Sequence, residues 1–108
     1  MKRIILLAFL CTTTLVMAQR INHVQEAIAN YDYEAALTLI AKEKPTIPLL
    51  LQKGKAQRGL GMNTEALSTY QEIIANDTAN TRAYIEAAEC CRSLAKYQQA
   101  LKYYEQAL

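Results

Sequence analysis

The last twelve residues, Tyr97 to Leu108 (YQQALKYYEQAL), laid back by 34 positions fall on Asn63 to Ile74 (NTEALSTYQEII), with Ala100-Leu101 on Ala66-Leu67 and Tyr104 on Tyr70. The same offset pairs Leu50 with Tyr84, Gly54 with Ala88 and Leu60 with Leu94. A weaker echo, Tyr33 to Lys44 (YEAALTLIAKEK), brings Ala36-Leu37 onto Ala66-Leu67 at an offset of 30. Similarity at a fixed period means stacked supersecondary units, each too small to bury its apolar face alone.

Every unit spells two helices. In the middle unit Ile47, Leu50, Leu51, Gly54 and Leu60 mark one face of a first helix, Gly59 to Asn63 (GLGMN) turns the chain, and Ala66, Leu67, Tyr70, Ile73 and Ile74 mark the return helix. The last unit repeats this over Tyr84 to Leu94 and Tyr97 to Leu108. In the first, Ile21, Val24, Ala27 and Ile28 precede a turn at Asn30 to Asp32, and Ala35, Ala36, Leu39 and Ile40 follow. Pro45 has no donor with which to continue that helix, whereas Pro48 suits the first turn of the next. No stretch alternates as a strand does, so the expected fold is all-α: a solenoid of antiparallel helix pairs, about three units, near 19–45, 46–79 and 80–108.

A period of 34 with small residues at the helix crossings resembles the tetratricopeptide repeat. That family's pattern is a large aromatic, Leu-Gly, Tyr, Ala with Phe four later, then Pro. Here these positions hold Leu50 or Tyr84, Lys53-Gly54 or Ala87-Ala88, Gln57 or Cys91, Ala66 with Tyr70 or Ala100 with Tyr104, and Thr78. Lys53 and Gln57 depart from it, and the first unit matches mainly through Tyr33 and Ala36. The small residues have a physical reason, since Gly54, Ala88, Ala66 and Ala100 allow close helix approach. Tyr97, Ala100, Leu101, Tyr104 and Leu108 are expected to face inward onto Tyr84 to Leu94, with a further repeat or a polar closing helix beyond them, as solenoid ends require.

The first eighteen residues, MKRIILLAFLCTTTLVMA, do not belong to this pattern. Two cations, an apolar stretch, and Val16 and Ala18 as small residues read as a secretory leader cleaved before Gln19. The stretch is too short and too rich in threonine to span a bilayer, which takes about twenty mainly apolar residues. Leu10 before Cys11 argues against lipidation there. The mature chain, 19–108, is therefore expected to be exported, to a periplasmic, envelope-associated or secreted location, and not to span a membrane. Lys2 and Arg3 carry the whole net charge of +2, and from Arg20 onward ten cations meet ten acids. A neutral chain with no aromatic-basic interleaving is not a nucleic-acid binder.

Few residues offer chemistry. Cys90 and Cys91, adjacent on a helix, point about 100° apart and cannot bridge each other without breaking it, so they read as small buried hydrophobes. One histidine, His23, is too few for a zinc site and reads as a surface or capping residue. Gly59-Leu60-Gly61 lacks the strand and third glycine of a dinucleotide fingerprint and reads as an interhelix turn. Asn76-Asp77-Thr78 matches a glycosylation acceptor but also an inter-repeat turn, which is preferred. The tyrosines fall at packing spacing, except Tyr31 and Tyr103.

The informative polar set lies on the first helices, on the side that tetratricopeptide arrays turn toward a binding groove. Asn22 and Gln25 are followed by Gln52, Lys55 and Arg58, then by Glu86, Glu89 and Arg92. The resemblance implies a protein or peptide ligand along them, with no cofactor and no metal. Lys55 and Glu89 could instead pair with each other, and Glu86 with Glu89 would repel a terminal carboxylate. The expected function is a non-catalytic binding scaffold. Two alternatives stand beside it: a self-associating piece of a longer repeat scaffold, dimerising through its last helix, and an enzyme, for which no nucleophile, base and orienting group converge.

Overall fold

The computed structural model describes residue 16 and residues 18–108. Apart from Val16 and Ala18, the expected leader lies outside the described residues. Among those residues there are six helices and no strand: α1 over 18–29, α2 (Tyr33–Ala41), α3 (Ile47–Gly59), α4 (Asn63–Asn76), α5 (Thr81–Ser93) and α6 (Tyr97–Ala107). Consecutive helices pack on one another, α3 on α4, α4 on α5 and α5 on α6, with a smaller α2–α3 joint. The result is an elongated all-α solenoid of about 62 × 29 × 17 Å. No helix among the described residues is long and apolar enough to cross a membrane.

Local chemistry sets the boundaries. Asp32, Thr46 and Asn80 accept backbone N–H groups of Ala35, Leu49 and Ala83, capping α2, α3 and α5. Pro48 lies in the first turn of α3, and α2 stops at Ala41, before Pro45 is reached. The turn inside each unit is one motif used three times: Tyr31, Gly61 and Ala95 take φ of 59°, 75° and 60°. After each, an N–H reaches back five residues, from Asp32 to Ala27, Met62 to Gln57 and Lys96 to Cys91. This is the helix stop that favours glycine. Only Gly61 supplies it, and of the three following residues only Asp32 caps with its side chain. Ala95→Gly combined with Lys96→Asp is therefore expected to add about 1 kcal/mol, removing a left-handed alanine and creating a cap. A urea titration with an unchanged slope checks it.

Adjacent residues of α3 face different clusters. Leu49 and Ala56 join Val24, Ile28, Ala36 and Ile40, while Leu50 joins Ala66, Leu67, Tyr70, Ile73 and the α5 and α6 core residues. Cys90 and Cys91 lie in the second cluster as free, buried thiols, and burial pushes Cys90 up to about 11. Gly54 is a tight crossing, since a Cβ there would lie 2.4 Å from Tyr70 Cζ. Gly59 plays the same part for Tyr33, with 2.4 Å to Cε2, where the second unit receives the first. At Gln57, where the family pattern has an aromatic, a buried polar pair stands instead: Thr69 Oγ1 donates to Gln57 Oε1 at 2.7 Å.

Several expected core residues lie outside it. Ile21 and Leu60 are exposed, at the outer edge of α1 and in the turn after α3. On α6, Ala100 and Tyr104 face inward as expected, but Tyr97 and Leu101 are 66% and 59% exposed and Leu108 is fully exposed. The reason lies in the repeat. Leu101 is the counterpart of Leu67, which is buried because α5 lies on it, and Tyr97 is the counterpart of Tyr33, which packs on Gly59 of α3. These positions pack onto a following unit, not onto their own, and among the described residues no helix lies on that side of α6. Tyr103, expected outside the packing stripe, is half-buried against Tyr84 and accepts a hydrogen bond from Gln71 Nε2 at 3.1 Å. Tyr31 is exposed at the first turn, as expected.

Candidate functional site

The stacking sets α3 and α5 side by side with α4 behind them, and their facing polar residues meet over a hollow of about 370 Å³. Leu51, Gln52, Lys55 and Arg58 enter it from α3, Arg82 and Glu86 from α5, and Tyr70 forms its floor from α4. Their placement follows from helical spacing: 52, 55 and 58–59 share one stripe of α3, as 82 and 86 do on α5. Of the six residues expected to form the groove, Gln52, Lys55, Arg58 and Glu86 are brought together here.

Glu86 organises the hollow. Arg58 donates to its Oε2 from the neighbouring helix, and Arg82, one turn back on α5, donates through Nε to Oε1 at 3.1 Å. Both oxygens of a carboxylate that is only 15% exposed are thus held by guanidinium groups. Three cations surround one anion, and Lys55 is exposed with no ion pair among the described residues. Tyr70, with its hydroxyl, lines the hollow and is 1% exposed. Burial, reinforced by Glu86, pushes that hydroxyl far above the ordinary tyrosine range, so it remains a donor at any ordinary pH.

Glu89 and Arg92 lie apart from the hollow. Arg92 donates to Glu89 Oε2 through Nη2 at 2.6 Å and through Nε at 3.2 Å, and the Tyr104 hydroxyl donates to Glu89 Oε1, tying α5 to α6. The Tyr104 hydrogen bond, then Arg92, holds the Glu89 carboxyl below its usual range. The alternative Lys55–Glu89 pair is therefore not formed, and Glu86 and Glu89, the two carboxylates expected to repel a terminal carboxylate, each have arginine partners within the chain. Asn22 and Gln25 sit on the exposed face of α1. His23 is exposed beside Glu26, its Nδ1 3.8 Å away.

The sequence reading missed Arg82 and the Tyr70 hydroxyl. Arg82 was visible as the residue four before Glu86, a spacing that places two side chains together on a helix. The hydroxyl was not, since a tyrosine at a packing position reads as core. Among the described residues no group of three His, Cys, Asp or Glu is placed to hold a metal.

No family model matches the chain, and no curated protein matches it. Among solved structures, the fold is shared with PcrH, in complex with the chaperone binding region of PopB. It superposes with a TM-score of 0.81 over 85% of this chain and 77% of PcrH, at 19% identity. At that identity the likeness concerns the fold alone: a helical-repeat solenoid, in this chain carrying a cationic hollow between two first helices.

Proposed function

We propose that the chain is an exported, non-catalytic scaffold of tetratricopeptide type that captures an acidic stretch of a protein or peptide on the face formed by α3 and α5. The observation that carries this reading is the hollow itself, where Lys55, Arg58 and Arg82 around the single carboxylate of Glu86 give a net positive lining beside Tyr70. Charges placed this way direct orientation and partner choice more than raw affinity. That PcrH is in complex with a segment of PopB supports the reading, because a fold of this shape can hold a polypeptide. Glu89 and Arg92 serve the α5–α6 joint in this reading, and Gln52 offers its carboxamide to the ligand backbone.

Binding of fluorescent peptides, acidic, basic and neutral in turn, tests the charge preference. The acidic peptides should bind most tightly and lose affinity with salt. Lys55→Gln is expected to weaken them by up to about fivefold, as fits an exposed ion pair worth up to about 1 kcal/mol, without changing helicity. Equal binding of all three peptide classes would remove the hollow from the account. Export rests on the leader pattern and is checked by N-terminal mass analysis of exported material, which should begin at residue 19. Met1 retained in a membrane fraction would replace export with anchoring.

A second reading has its own observation, the exposed Tyr97 and Leu101 on α6, which favours self-association through that helix. Light scattering should then show a concentration-dependent dimer that Leu101→Glu abolishes. A monomer at all concentrations removes this reading and leaves the first intact.

A further inference from the structure

We infer that the mature chain is closed at its amino end by a pyroglutamate formed from Gln19. This rests on the export reading above, because only cleavage after Ala18 gives Gln19 a free α-amine. The α-nitrogen attacks the Cδ carbonyl of the same residue. The N–Cδ bond forms, the bond from Cδ to the side-chain amide nitrogen breaks, and that nitrogen takes the amine proton and departs as ammonia. No oxidant, reductant or second substrate enters.

Three features of the structure favour the reaction at this residue. Gln19 is exposed on α1, in a surface hollow whose other lining residues, Asn22, His23, Gln25, Glu26 and Ala29, all belong to the same helix. Its carboxamide bonds to nothing among the described residues, so the side chain is free to fold back on the amine. The following residue is fixed: Arg20 Nη1 donates to Glu43 Oε1 at 3.0 Å, tying α1 to the link between α2 and α3. Ring closure therefore changes residue 19 alone and leaves the register of α1 in place.

Electrostatics supplies the direction. An ammonium at the first turn of a helix opposes the helix dipole, whose N-terminal end is positive. The one nearby carboxylate, Glu43, is already taken by the Arg20 guanidinium, and the nearest carboxylate of α1, Glu26, is seven residues on. The lactam is neutral and removes that conflict. It also leaves no free amine for an aminopeptidase, which suits a chain working outside the cytoplasm.

The test expresses the full chain with its own leader in an exporting bacterial host, alongside Gln19→Asn. Asparagine is one methylene shorter, and its closure would need a four-membered ring. Intact mass and sequencing of the first peptide are read directly on exported material. The wild-type chain is expected to start at residue 19, lighter by one ammonia and blocked to stepwise degradation until pyroglutamyl aminopeptidase exposes Arg20. The Asn variant is expected to start with a free amine and to melt at lower temperature than the cyclised chain. A free amine on wild-type Gln19 overturns the lactam while export stands. A chain that starts elsewhere overturns export, and the lactam with it.

Discussion

Gly54→Val is expected to cost about 3 kcal/mol, the upper end for overpacking a close helix crossing, and to lower the melting temperature by more than about 10 °C in a domain of this size. A Cβ at Gly54 would already lie 2.4, 2.7 and 2.8 Å from Cζ, Cε1 and Oη of Tyr70, and valine adds two further carbons. The ring cannot swing away, because Tyr70 is 1% exposed and packed among Leu50, Ala66, Ile73 and Ala87. Valine regains only a few tenths of a kcal/mol in helix propensity over glycine, so the clash decides the sign. Thermal denaturation followed by circular dichroism measures the loss. Tyr70→Leu should recover part of it in the double variant, since the two sites share one contact and cannot act additively. A Gly54→Val chain that melts with the wild type would mean that the α3–α4 crossing is looser than drawn.

That crossing also marks what the sequence could say. The 34-residue offset pairs Gly54 with Ala88 and Ala66 with Ala100, and small residues in helical spacing have few other uses, so the solenoid and its tight points were legible. Which neighbour a position packs against was not. Leu67 and Leu101 are equivalent in the repeat, yet one is buried and the other exposed, because that position is covered by the next unit and not by its own. Periodicity reports that a face is apolar and is silent about what lies on it. Gln57 shows the same limit from the polar side: it departs from the family pattern, but only the fold brings Thr69, twelve residues away, within 2.7 Å to satisfy it. Within the candidate site the stripe of α3 was readable from spacing alone. The division of α5, with Glu86 turned to α3 and Glu89 turned to α6, depends on where Arg58 and Tyr104 stand in space.

Glu86→Gln is expected to move stability and binding in opposite directions. The substitution keeps the shape and removes the one anion between Arg58 and Arg82. The fold should lose about 1–2 kcal/mol, since hydrogen bonds to charged groups contribute about 1.5–3 kcal/mol, and the contribution here is discounted because Arg82 is largely exposed to solvent. The same change frees two guanidinium groups toward the hollow, so an acidic peptide should bind up to about tenfold more tightly at low ionic strength, equivalent to about 1.4 kcal/mol. That gain should shrink as salt rises toward 0.15 M, where charges are screened over about 8 Å. Urea titration and peptide binding on the same preparation separate the two effects. If Glu86 were only a brace between α3 and α5, stability would fall with no gain in acidic-peptide affinity. If affinity fell along with stability, the ligand would depend on the carboxylate itself, and the partner would have to be basic at that point. Only the opposed pair of changes fits a hollow in which Glu86 occupies, from within the chain, the place an acidic partner competes to fill.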